Sequence, residues 1–98
     1  MNANSKRAFE KLKEIGAPVL GPEMGWSGHF SISAEKYGRD DGFYKGHIDE
    51  DPDGNDWADY YNYGFGEFGV SPHITAVLDK YGLYCEWVNP AILSVFDS

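Results

Sequence analysis

A stretch running from Asp40 to Phe68, DDGFYKGHIDEDPDGNDWADYYNYGFGEF, constrains this chain more than any other segment. Nine of the sixteen acids lie in it: Asp40, Asp41, Asp49, Glu50, Asp51, Asp53, Asp56, Asp59 and Glu67. Lys45 is its single Lys or Arg, so its net charge is −8, equal to that of the whole 98-residue chain. Charge at this density opposes collapse, and an acidic segment without apolar groups stays disordered. Here the acids are interleaved with Phe43, Tyr44, Trp57, Tyr60, Tyr61, Tyr63, Phe65 and Phe68. The rings supply apolar area to bury, and the glycines among them supply turns. The expected product is a folded surface that holds negative charge in fixed places.

The rest of the chain is short and simple. Ninety-eight residues fit one domain and bury roughly two-thirds of the unfolded surface, enough for a modest core without metal or disulfide. No run of about 18 apolar residues is present, which excludes a transmembrane helix. The opening MNANSKRAFEKLKEIG has no apolar core of a secretory signal. Cys85 is the only cysteine and can form no internal disulfide. These features together place the protein in a reducing cytosol. Residues 1 to 15 carry a net charge of +2 and the remainder −10. With a pI near 4.6, direct binding to DNA, RNA or an anionic membrane is disfavoured.

Hydrophobic spacing gives the element order. Residues 5 to 15 read as a helix, with Ala8, Leu12 and Ile15 on one face, Asn4 or Ser5 as cap, and Gly16 as stop. Ala17 to Gly28 is punctuated by Pro18, Gly21, Pro22, Gly25 and Gly28 and reads as an irregular connection. His29 to Glu35 alternates as a half-buried strand, Phe43 to Ile48 is a second candidate strand, and Trp57 to Phe65 is rich in strand formers. Asp49 to Asp56 is a turn. Ser71 caps a helix that Pro72 opens, Ile74, Val77, Leu78 and Tyr81 stripe, and Gly82 ends. Leu83 to Val88 and Ala91 to Phe96 form two strands joined at Asn89-Pro90. Segregated runs of this kind predict an α+β fold, a small single domain over residues 1–98. In it a mainly antiparallel sheet of four to five strands carries two helices on one face.

Several motifs suggest chemistry. Asp49-x-Asp51-x-Asp53-Gly54 matches the first six positions of an EF-hand loop, in which alternate carboxylates converge on a hard cation. The twelfth position is Tyr60 rather than a bidentate Glu, Pro52 interrupts the loop, and the flanks read as strands. A calcium or other metal site on Asp49, Asp51 and Asp53 is thus an alternative set against an ordinary solvated turn. Gly64-Phe65-Gly66-Glu67-Phe68-Gly69 fits the dinucleotide pattern G-x-G-x-x-G. However, Glu67 would oppose phosphate, and the helix cap follows the motif instead of lying within it. No cofactor is implied. His29, His47 and His73 lack metal-ligand spacing, Cys85 reads as a structural thiol, and no serine lies in a nucleophile motif. Carboxylates are abundant, but no two are set apart as an acid/base pair. The chain is therefore read as a non-enzyme.

What remains is a partner surface. Strand alternation would send Trp57, Tyr61, Tyr63 and Phe65 inward and leave Tyr60 outside near Asp59. In size, charge and absence of catalytic signature the chain resembles two groups of small acidic inhibitors. One is phage-encoded anti-defence proteins, anti-CRISPR proteins included; the other is immunity proteins that neutralise toxic nucleases. The resemblance implies a protein or ribonucleoprotein partner with a basic nucleic-acid-binding surface, and it carries no residue across. The residues themselves nominate Asp49, Glu50, Asp51, Asp53, Asp56 and Asp59 as phosphate mimics, with Trp57 and Tyr60 as aromatic anchors. A metal-binding module on the acidic loop is the alternative, and a ligand pocket among the rings is a third reading.

Overall fold

The computed structural model describes residues 1–35 and 48–98. Helix α1 spans Ala3–Glu14. Its cap is Asn2, two residues earlier than the expected pair: the Asn2 side-chain oxygen accepts from the Ser5 amide at 2.8 Å, and Ser5 Oγ donates back to the Asn2 carbonyl at 3.0 Å. Ala8 and Leu12 are fully buried, and Phe9 meets Phe30 edge-on at 5.2 Å. Gly16 turns the chain out of the helix at φ +92°, a conformation in which a side chain is strained.

The connection that follows is not wholly irregular. Val19–Leu20 forms a short strand, β1, and Pro22–Met24 a single 3₁₀ turn. Two residues carry no periodicity, which is why β1 has no signature in the sequence. Strand β2 covers Phe30–Ser33 and pairs antiparallel with β1, Val19 opposite Ile32. All four β2 residues are buried, so their alternation separates apolar from hydroxyl-bearing faces rather than core from solvent. Residues 43–47 of the second candidate strand lie outside the described residues.

Helix α2 spans Pro72–Lys80, strand β3 Leu83–Asn89 and strand β4 Ile92–Asp97. The β3–β4 hairpin is in register at Cys85 with Val95 and Trp87 with Leu93, with an irregularity between Trp87 and Asn89. The sheet is four-stranded and antiparallel, ordered β1-β2-β4-β3, and α2 packs on β3 while α1 packs on β1 and α2. This is the expected α+β domain, with four strands in its sheet among the described residues. Burying a side chain such as Leu12, Ile74 or Leu93 contributes about 1.5–3 kcal/mol each, and these three join Phe30, Ile32, Leu78 and Trp57 in one core. No helix among the described residues is long and apolar enough to cross a membrane. Among the described residues β3 pairs only with β4, which leaves its outer side at the edge of the sheet.

Candidate functional site

The segment rich in strand formers, Trp57 to Phe65, is not a strand. It belongs to a closed loop whose two ends are hydrogen-bonded together. The Ser71 amide donates to the Trp57 carbonyl at 2.9 Å and the Asp59 amide to the Gly69 carbonyl at 2.7 Å, with Ala58 bridged to Val70. Inside it, amides of Asn62, Phe65 and Gly69 donate to the carbonyls of Asp59, Asn62 and Phe65, and the Tyr61 amide to the Asp59 side chain. Such a compact loop satisfies its backbone internally and leaves its side chains free for contact. Asp59, Asn62 and the glycines decide this outcome against strand propensity. Gly66 and Gly69 have φ of +56° and +81°, and a Cβ on either would run into the carbonyl of Val70 or of Asp59. The glycines of the G-x-G-x-x-G run therefore serve the approach of the loop to itself.

Loop closure turns the rings outward. Tyr61 is 84% exposed, and Tyr60, Tyr63 and Phe68 are exposed as well. This corrects the expected inward facing of Tyr61 and Tyr63; Phe65 is half-buried. Tyr60 lies edge-on to Tyr61 at 5.5 Å and to Trp87 of β3 at 5.3 Å, and Tyr63 tilts against Phe68 at 5.6 Å. Trp87 anchors the platform by donating its indole N–H to the Phe68 carbonyl at 2.9 Å. Phe68 is the only non-glycine residue at positive φ among those described, +55°. A bulky side chain there is strained, yet the ring it carries is 60% exposed.

Of the residues nominated as anchors, Tyr60 lies on the platform and Trp57 does not. Trp57 is 1% exposed, packed in the core, and donates its indole N–H to the Ile48 carbonyl at 2.8 Å. It holds the loop down rather than meeting a partner, because its Ω-loop position gives it the core side and its neighbours the solvent side.

The acidic turn divides in the same way. Asp49, Glu50, Asp53 and Asp56 are exposed and Asp59 half-exposed, whereas Asp51 is only 4% exposed. One Asp51 oxygen accepts from the amides of Asp53 and Asn55, each at 2.9 Å. The other accepts from Ser71 Oγ, the α2 cap, at 2.6 Å. Burial pushes the Asp51 carboxyl up. The Ser71 hydroxyl, the Asn55 and Asp53 amides and the neighbouring His73 together outweigh that, and hold it below its ordinary value. Asp51 is thus a structural clasp rather than a phosphate mimic, a role that its place inside an acidic run conceals.

Asp53 reaches His73 Nε2 at 2.7 Å, so Asp51, Asp53 and His73 place one donor atom each within 4.8 Å of one another. Among the described residues this is the set that a cation would meet. His73 stands in it where Asp49 was expected, and its ring nitrogen suits a transition metal better than calcium.

Beside the platform runs a groove of about 470 Å³ between the edge of β3, α2 and the loop. Tyr63, Glu67, Phe68 and Asp79 line it, with Cys85 and Trp87 from the inward face of β3; Tyr84 and Glu86 alternate to the strand's other face, where the Tyr84 ring meets Phe96. Cys85 forms part of its wall; burial, then Glu67, Asp79 and Glu86, push this thiol up to about 12. The sequence marks Glu67 and Phe68 as part of a glycine motif, but it has no signal that brings them to β3. No family model matches the chain, and no curated protein or solved structure does either.

Proposed function

We propose that the protein is a non-enzymatic inhibitor that binds a nucleic-acid-binding protein or ribonucleoprotein and fills its basic groove. It would belong with the phage anti-defence or nuclease-immunity kind of small acidic protein and act in the cytosol. The observation that supports this most is the adjacency of exposed rings and exposed carboxylates on one pinned segment. Glu50, Asp53, Asp56 and Glu67 offer charge to basic side chains, and Tyr60, Tyr61, Tyr63 and Phe68 offer rigid contact area at low entropic cost. Opposite charge speeds encounter, and the rings slow release. Asp49, Glu50, Asp53, Asp56, Asp59 and Tyr60 are the contacts; Asp51 and Trp57 position them.

The test is capture from a nuclease-treated bacterial lysate, with elution by salt and by competing DNA or RNA. A nucleic-acid-binding protein displaced by polynucleotide is the expected result. The triple variant Asp49→Lys, Glu50→Lys, Asp56→Lys, which spares the Asp51 clasp, should lose that protein while keeping the fold, read by circular dichroism. Undiminished capture by the triple variant overturns the mimicry reading.

A second reading is metal binding, favoured by the convergence of Asp51, Asp53 and His73. It requires the ion to take over the hydrogen bonds that now satisfy Asp51 and His73. A rise in Tm with zinc or calcium, absent at matched ionic strength and abolished by His73→Ala, is its signature.

A further inference from the structure

We infer that the groove between the β3 edge and the aromatic loop holds an arginine side chain of a basic protein segment. The inference rests on the reading that the partner is basic, and adds where and how one of its cations is held. Three observations support it independently of the acidic turn.

The first is charge. Glu67 and Asp79 line the groove, and none of its described lining residues is Lys, Arg or His. Glu67 and Asp79 stand on the side of β3 that carries Cys85, and both push its thiol up. A cation entering it gains from each of them.

The second is shape. Three rings, Tyr63, Phe68 and Trp87, line the same space. A flat guanidinium stacks on such faces while its edge donates to a carboxylate, a combination a lysine ammonium cannot reproduce. Mixed rings and acids therefore select arginine over lysine, whereas an acidic surface alone would treat the two alike.

The third is Phe68 itself. Its backbone conformation, φ +55°, favours glycine, and its ring is mostly out of the core. Its ring tilts on Tyr63 and lines the groove, where it is open to contact by a ligand.

The probe is an N-acetylated oligo-arginine peptide, titrated into ¹⁵N-labelled protein at physiological ionic strength, with oligo-lysine of equal length beside it. The expected shifts centre on the Trp87 indole N–H and the amides of Glu67, Phe68 and Cys85, with oligo-lysine binding more weakly. Phe68→Gly, which suits the backbone, and Glu67→Gln should each weaken oligo-arginine binding by about tenfold, as loss of a ring or charge contact to a desolvated cation requires. Equal binding of the two peptides, shifts centred on residues 49–59, or wild-type affinity in Phe68→Gly would overturn the inference. The lysate capture separates it from the mimicry reading. If Phe68→Gly still captures the nucleic-acid-binding protein at full strength, the groove assignment falls and mimicry stands. If oligo-arginine occupies the groove but no such protein is captured, mimicry falls and the groove assignment stands.

Discussion

The hydroxyl of Ser71 donates to a carboxylate oxygen of Asp51 at 2.6 Å, and both side chains are buried. One carboxylate thereby ties the acidic turn to the first turn of α2, because Ser71 Oγ also accepts from the His73 amide as the helix cap. The same pair fixes the far end of the aromatic loop, since the Ser71 amide is bonded to the Trp57 carbonyl. The turn, the loop and the helix are therefore one mechanical unit, and disturbing Asp51 disturbs all three.

Asp51→Ala removes the acceptor of three hydrogen bonds and leaves their donors short of partners. A loss of about 2–3 kcal/mol is expected for charge-assisted bonds of this kind, read by urea unfolding at neutral pH. The Asp51 carboxyl is held below its ordinary value in the folded protein. Its stabilisation is therefore complete above the unfolded carboxyl value, near 3.9, and is lost as pH falls through the lower folded value. The gap in stability between wild type and Asp51→Ala should be constant from neutral pH down to about pH 5 and should narrow below about pH 4. A gap that persists unchanged into strong acid would mean that the charge of Asp51 is not what holds the clasp.

Trp57 separates support from contact. Its ring is in the core and its N–H is bonded to the Ile48 carbonyl. Trp57→Ala should cost about 3–5 kcal/mol, the range for emptying a large aromatic site, with a Tm lowered accordingly. Tyr61→Ala removes a ring that is 84% exposed and should leave Tm within about a degree or two while weakening partner capture. If Trp57→Ala kept its stability and lost only binding, the ring would be a contact after all.

What the sequence conveys about this protein divides along physical lines. The α2 helix and the β3–β4 hairpin were readable because Ser71, Pro72 and Gly82 are local signals and Ile74, Leu78 and Leu83 repeat at the right spacing. β1 was not, because two residues paired to a distant strand carry no local pattern. Trp57 to Phe65 looks like a strand and is part of a loop, because strand propensity in Tyr60, Tyr61 and Tyr63 reflects fit to a half-buried sheet, and nothing local says whether a sheet is there. Closure of that loop depends on the bond from Asp59 to Gly69 and on the meeting of Phe68 with Trp87, both long-range facts. The same holds for Asp51: six acids look alike in sequence, and only the arrival of Ser71 makes one of them structural.

Phe68 offers a test of backbone strain. At φ +55° a Cβ is unfavourable, and glycine is free of that penalty. Phe68→Gly should therefore be more stable than Phe68→Ala by about 1 kcal/mol, the cost of a side chain in the left-handed region. The glycine variant should lie close to wild type, because a ring that is 60% exposed contributes little by burial. Equal stability of the glycine and alanine variants in urea unfolding would show that the backbone at this position is not strained.

Cys85 reports on the groove without any ligand. Its thiol is pushed up to about 12, by burial first and then by Glu67, Asp79 and Glu86. The thiolate is the reacting form, and a thiol titrating there is only about one part in ten thousand ionised at pH 8, against about a tenth or more for a free cysteine. Disulfide reagents should therefore modify the folded protein at least about a hundredfold more slowly than the urea-unfolded chain. Glu67→Gln removes a negative charge beside the thiol and lowers its pKa, so its reaction should quicken by a few-fold and no more, since burial is the larger cause. The rate should climb steadily with pH through pH 10 rather than level off near pH 9. Rapid, pH-independent labelling near neutrality would show that the groove neither shields this thiol nor concentrates negative charge around it.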